Sequence, residues 1–251
     1  MPGKQIILLN SSKRKRFTFG LLEEVADMLS DFNTEIVSLG DYEIKGCTGC
    51  EACILNGSCP IDDDGKRILD KIAASDGIII GTPVYLRHIS GLLKTLVDRS
   101  CSWYHRSPIV GKPVFFVTTT AASGTRQTLK YLKDLAMQWG AVRTGSVSRN
   151  AITVDKKPIS SKALAKFRKY LDRDVLKRHR PALRELIEFN TQKVLALKII
   201  PLDKQYWNDA GYFKSRFFYP CRIGPLKSLI ALLYFQLLNR VIPNRAGAEE
   251  L

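Results

Sequence analysis

Gly77-Ile78-Ile79-Ile80-Gly81-Thr82-Pro83-Val84-Tyr85 is the stretch that decides the fold. Three consecutive isoleucines without polar alternation suit a strand covered on both faces, and therefore a central parallel strand flanked by helices. The run stops at Gly81, and Thr82-Pro83 turns the chain out of the strand. Residues 91–99 then resume with apolar positions three and four apart, the period of a helix. Val114-Phe115-Phe116-Val117 is a second run of the same kind.

Working outward, strands are expected at 5–10, 34–39, 77–81, 113–119 and 142–147. Helices are expected at 18–29, 65–74, 91–99 and 124–139. Five strands alternating with helices imply an α/β, doubly wound parallel sheet. The flavodoxin-like order 2-1-3-4-5 is the natural five-stranded version, with its ligand at the C-terminal edge. From about residue 151 the alternation ends, so residues 1–150 read as this domain and 151–251 as a helical extension. Basic helices are expected at 160–177 and 181–198, with Leu164, Phe167, Leu171 and Leu176 on one face of the first. Pro201 reads as an interruption, and the aromatics between Tyr206 and Tyr219 as a loop-like segment.

Net charge is +15 over 251 residues, unevenly placed. Residues 151–251 hold 20 Lys/Arg against 9 Asp/Glu, whereas the first 150 hold 19 against 15. A basic surface can attract nucleic acid, anionic lipid, an acidic protein or a phosphorylated cofactor. No nucleic-acid-binding module accompanies the charge, so no specific nucleic acid is expected. The apolar run Ile6-Ile7-Leu8-Leu9 is too short for a signal peptide, and a cytoplasmic protein is expected. In that compartment clustered thiols indicate metal or redox chemistry more than disulfides.

Three loops carry chemistry. Asn10-Ser11-Ser12-Lys13-Arg14-Lys15-Arg16-Phe17-Thr18 joins the first strand to the first helix, where hydroxyls, positive charge and a helix N-terminus can hold a phosphate. Gly81 to Tyr85 can present backbone groups and an aromatic ring to a planar heterocycle. Thr118-Thr119-Thr120-Ala121-Ala122-Ser123-Gly124 offers small residues that leave room for a ring system. The cysteines at Cys47, Cys50, Cys53 and Cys59 are spaced C-x2-C-x2-C-x5-C, with Pro60 following. This approaches a ferredoxin run, and a single [4Fe–4S] cluster would need all four. Zinc, which favours two separated pairs, and a metal-free loop are the alternatives. Cys101 and Cys221 read as isolated thiols, and Asp62-Asp63-Asp64 as helix-capping carboxylates in preference to a cation site.

In this order the loops resemble the NAD(P)H-dependent FMN reductase group of the flavodoxin-like superfamily, and within it the iron–sulfur flavoproteins. The resemblance runs from about Lys4 to Val147 and is strongest from Gly46 through Cys59 to Tyr85. It implies that Ser12, Arg14 and Thr18 hold an FMN phosphate. It also implies that Pro83, Val84 and Tyr85, with Thr119, Thr120 and Gly124, contact the isoalloxazine. The chain departs from the group at a first loop one residue shorter, at Leu86-Arg87-His88, and at Ala121-Ala122 in place of a glycine pair.

The resemblance makes an FMN oxidoreductase the expected function. NAD(P)H would be the donor and an unassigned small molecule or protein the acceptor, reached directly or through the cluster. Flavin-centred chemistry needs no side-chain acid, so no residue is assigned a catalytic role, although His88 is placed to tune a flavin or bind substrate. Arg87, Arg99 and Arg106 can recognise an NADPH phosphate. The rival is a non-enzymatic electron carrier or redox sensor that docks a partner through the basic extension. A homo-oligomer is expected. Residues 225–243 contain a 12-residue uncharged stretch, Ser228 to Asn239, shorter than a spanning helix requires. It reads as a helix docked on its own domain, a dimer contact, or a peripheral membrane contact.

Overall fold

The computed structural model describes residues 3–150 and 158–244. The expected change of organisation at residue 151 and the basic Arg245 lie outside them. Strands β1 (Gln5–Asn10), β2 (Asn33–Ser38), β3 (Gly77–Pro83), β4 (Pro113–Thr120) and β5 (Val142–Asn150) form one sheet in the order 2-1-3-4-5. Every pairing is parallel. Each residue of β3 is buried, as its unbroken apolar run requires.

The period-two alternation of the central strands separates two cores. Ile7, Leu9, Ile78, Ile80, Val114 and Phe116 face the side covered by α3 (Gly65–Ala74), α4 (Gly91–Arg99) and α5 (Thr125–Gln138). Ile6, Leu8, Ile79, Phe115 and Val117 face α1 (Phe17–Asp27) and α6 (Ala165–Tyr170). α6 thus supplies the second covering helix on a face that α1 alone would leave half open. Its approach depends on Gly77: a Cβ there would stand 2.7 Å from the Phe167 ring.

The expected helix over 160–177 is shorter and broken. α6 ends at Tyr170, and residues Arg173–Arg178 form a 3-10 turn whose N-cap Asp172 accepts the Asp174 amide at 3.0 Å. The four apolar residues assigned to one face serve two cores. Leu164, Phe167 and Leu171 pack on the sheet, while Leu176 enters a third cluster. One straight helix cannot reach both.

That third cluster corrects the loop-like reading of the aromatic segment. Pro201 begins α8 (Pro201–Asp209), occupying a first-turn position where its missing N–H costs nothing. Trp207, Phe217, Phe218 and Tyr219 are buried with Phe189 of α7 (Leu183–Lys198). Phe189 and Phe218 meet nearly edge-to-face with centroids 4.8 Å apart. α9 (Pro225–Val241) packs along α7, burying Ala231 and bonding Tyr234 Oη to Thr191 Oγ1 at 2.9 Å. Lys198 donates to the carbonyls of Asn239 and Ile242 at the end of α9. Among the described residues no helix is long and apolar enough to cross a membrane.

Candidate functional site

The parallel strands all end on one side of the sheet, and their loops converge there. Asn10, fully buried, shapes the first loop: its Nδ2 donates to Ser12 O and Ser38 Oγ, and its Oδ1 accepts the Ser12 amide, each at 3.1 Å. Ser11 donates from both N and Oγ to Gly81 O, tying the loop to β3. Ser90 caps α4 by accepting the Leu93 amide and stands 2.9 Å from Ser11 Oγ. The first, second and α4 segments are therefore one hydrogen-bonded unit. Thr18 adds β4 through a 2.7 Å bond to Thr119 Oγ1.

This framework encloses a cavity of about 340 Å³ lined by Ser12, Arg14, Thr18, Pro83, Val84, Tyr85, Thr119 and Thr120. Eight of the nine residues expected at a cofactor line it, joined by Arg16, Phe17 and Ala121. The N-terminus of α1 carries no side-chain cap and no acidic residue in its first turn. Its free amides and the nearby arginines fit a phosphate, and the half-exposed Tyr85 fits an aromatic ring. A larger hollow of about 620 Å³ beside α5 is lined mainly by long charged side chains and lies away from these loops.

Gly124, the ninth residue, is absent from the lining and sits behind the wall. Its φ is +98°, and a Cβ there would lie 2.7 Å from Arg87 Cα and 3.0 Å from Val84 Cγ1. Only glycine permits the third loop to press this closely on the second. The second loop is a tight hairpin: Tyr85 and His88 exchange both backbone bonds, at 3.0 and 2.9 Å. Leu86 and Arg87 between them both have positive φ, a turn usually built from glycine or asparagine. The turn lifts Leu86 fully into solvent. His88 packs against Tyr131, the rings tilted by 56° with centroids 4.4 Å apart, and does not line the cavity.

Two of the three arginines expected at a nucleotide phosphate are committed elsewhere. Arg99 is buried and paired to Asp63 at 2.5 Å, donating also to Lys45 O at 3.1 Å. Asp63 accepts the Lys45 and Gly65 amides as well, at 2.7 and 2.9 Å. Although its own burial opposes ionisation, Arg99 and these amides hold its carboxyl below the usual range. Arg106 pairs with Asp203 of α8 and donates to the carbonyls of Cys53 and Ile54 at 2.7 and 2.9 Å. Both arginines thus brace the cysteine segment, because a carboxylate and unpaired carbonyls reach them first. Arg87, on the exposed turn, has no such partner among the described residues.

The cysteine segment lies between β2 and α3 in the chain and includes the short helix α2 (Ala52–Leu55). Cys47 and Cys50 are exposed, and Cys53 and Cys59 are half-buried. Backbone and Thr48 hydrogen bonds pull the Cys50 thiol down. Burial pushes Cys53 up, with Cys59 and Cys47 adding to it. Cys101 is not isolated: it begins the 3-10 turn that packs against α2, and burial first, then the charges of Cys53, Cys47 and nearby carboxylates, raise its thiol. Among the described residues no three His, Cys, Asp or Glu side chains are drawn together as metal ligands. In donor chemistry and number the four loop thiols nonetheless fit an iron–sulfur cluster.

Residues 4–157 match the sequence profile of the NADPH-dependent FMN reductase family. An iron-sulfur flavoprotein of Archaeoglobus fulgidus is 43% identical over 98 residues, covering 38% of this chain and 48% of that protein. Another, from Clostridioides difficile, is 26% identical over 195 residues, covering 73% and 85%. The chain spans about half the length of the first curated relatives it matches. RosB, solved with bound 8-demethyl-8-formylriboflavin 5'-phosphate, shares the fold at 14% identity with a TM-score of 0.53, covering 84% of this chain and 88% of RosB.

Proposed function

This chain belongs to the NADPH-dependent FMN reductase family, and on that premise we propose that it is an FMN-dependent oxidoreductase drawing electrons from a nicotinamide nucleotide. The observation that carries the reading is the cavity at the C-terminal sheet edge, where eight expected residues converge beside the uncapped N-terminus of α1. When bound there, FMN supplies hydride acceptance and the release of electrons singly or in pairs.

The protein's own part is binding and orientation. Ser12, Arg14, Thr18 and the first amides of α1 hold the phosphate. Pro83, Val84 and Tyr85 face the ring from one loop, and Thr119 and Thr120 from the next. Gly124 acts behind them, setting the width of the slot. Arg87, exposed on the hairpin turn that follows Tyr85, would meet a phosphate of the nicotinamide nucleotide. Cys47, Cys50, Cys53 and Cys59 would hold a [4Fe–4S] cluster, supplying a one-electron carrier between the flavin site and an acceptor. The iron-sulfur flavoprotein names of the relatives support that assignment.

Anaerobic stopped-flow mixing of the FMN-loaded protein with NADH and with NADPH tests the reading. Bleaching of the flavin at a rate that sustains turnover is expected. Failure of both nucleotides to bleach it leaves an electron carrier or sensor, and failure to take up FMN removes the proposal entirely.

A further inference from the structure

Among the described residues, nothing covers one apolar face of α9. Ala231, Tyr234, Phe235 and Leu238 turn toward α7 and the aromatic core, whereas Leu226, Leu229, Ile230, Leu232, Leu233, Leu237 and Val241 are exposed. All of the exposed residues but Leu232 recur at three- and four-residue spacing, so those six form one stripe along the helix. Leu233 and Leu237 keep 55% and 62% of their surface in solvent. At 17 residues the helix is about 26 Å long, and a continuous apolar strip of that length is uncommon on a protein with no partner.

Charge decides what covers it. From residue 210 to residue 244 the chain has five cations, Lys214, Arg216, Arg222, Lys227 and Arg240, and no Asp or Glu. Arg240 is exposed near the end of α9, whereas Lys227 near its start donates to Pro181 O at 3.0 Å. A second copy laid on this stripe would bring together two segments that hold cations and no carboxylate, in a protein already carrying a net +15. A surface combining apolar depth with negative charge satisfies both features, and that surface is an anionic lipid interface.

We propose that α9 seats the protein on anionic membranes, lying in the interfacial plane with its leucine stripe among the acyl chains. The helix does not cross the bilayer; its opposite side stays docked on α7 through Tyr234, Phe235 and Lys198. The rigid α7–α9 pair delivers the stripe already helical, so binding does not have to offset the entropy of folding a free segment.

Co-sedimentation of the full-length protein with phosphatidylcholine vesicles, with and without about a third phosphatidylglycerol, tests this. The wild type is expected to sediment with the anionic vesicles only, and less as salt is raised well above about 0.15 M. Leu229→Ser/Leu233→Ser/Leu237→Ser removes most of the stripe without touching the α7 side and should weaken partitioning on the order of 100-fold. Arg222→Ser/Arg240→Ser should lose the preference for anionic lipid while keeping the stripe. An unchanged urea midpoint and FMN uptake identify these as surface effects. No sedimentation of the wild type, or sedimentation unaffected by the triple substitution, overturns the proposal. So does a wild-type dimer that the triple substitution converts to monomer without any vesicle binding, which would assign the face to a second copy.

Discussion

The Arg106 guanidinium is held between the Asp203 carboxylate and the backbone of the cysteine segment, donating to Cys53 O at 2.7 Å. Asp203 is almost wholly buried, and His105 Nδ1 stands 2.7 Å from its other oxygen. α8, from the basic extension, is thereby wired to the loop that carries four thiols. Leu202 adds an apolar contact, its Cδ2 3.4 Å from where a Cβ on Gly57 would sit.

Asp203→Asn should therefore act on two levels. Leaving a largely buried guanidinium without its counter-charge costs about 3–5 kcal/mol, read as a lower urea midpoint. Amide exchange should rise around Cys53 and Ile54 specifically, because their carbonyls lose a fixed donor. Uniform exchange across the chain would show that the network does not brace this loop.

Gly124→Ala should damage the flavin slot from outside it. The new methyl meets Arg87 Cα at 2.7 Å in a residue with φ +98°, so the second loop must move. FMN affinity is expected to fall about tenfold or more, with a stability loss of roughly 1–3 kcal/mol. Quenching of flavin fluorescence on titration measures the first, and a urea melt the second.

Thr18→Val breaks the Thr18–Thr119 bond between the first and third loops while preserving shape. A loss of about 1–3 kcal/mol is expected, because Thr119 keeps a buried hydroxyl without this partner. Thr18→Ser should recover most of it. Equal FMN affinity for the valine and serine variants would exclude a role for the hydroxyl.

Arg14→Ala should separate phosphate from ring binding. FMN affinity should drop by about 1.5–3 kcal/mol, the range for hydrogen bonds to charged groups, while riboflavin affinity stays constant. Parallel titrations with both flavins check this, and an equal loss for each would move Arg14 to the ring end.

The sheet and its loop edge were legible in the residues because strand and helix periods are local. Ile78-Ile79-Ile80 reads as doubly buried wherever it lies, and Ser12, Thr18, Tyr85 and Thr119 must share an edge once the strands are parallel. The extension was less legible. Alternate burial in two clusters breaks the regular spacing from Leu164 to Leu176, and an aromatic-rich segment resembles a loop until its rings find Phe189.

By itself, then, the sequence determined the strand order's candidates, the ligand edge and the family of loops, all properties of period and order along the chain. Tertiary structure decided which partners the long side chains took. Arg99 and Arg106 went to buried carboxylates and carbonyls, the turn of Cys101 came against α2, and Gly124 went behind the site instead of into it. The leucines of α9 stayed in solvent. The reason is physical: an arginine pairs with whichever acceptor the fold brings within reach, as Arg106 does with one 97 positions away. Spacing along a chain carries no record of that meeting.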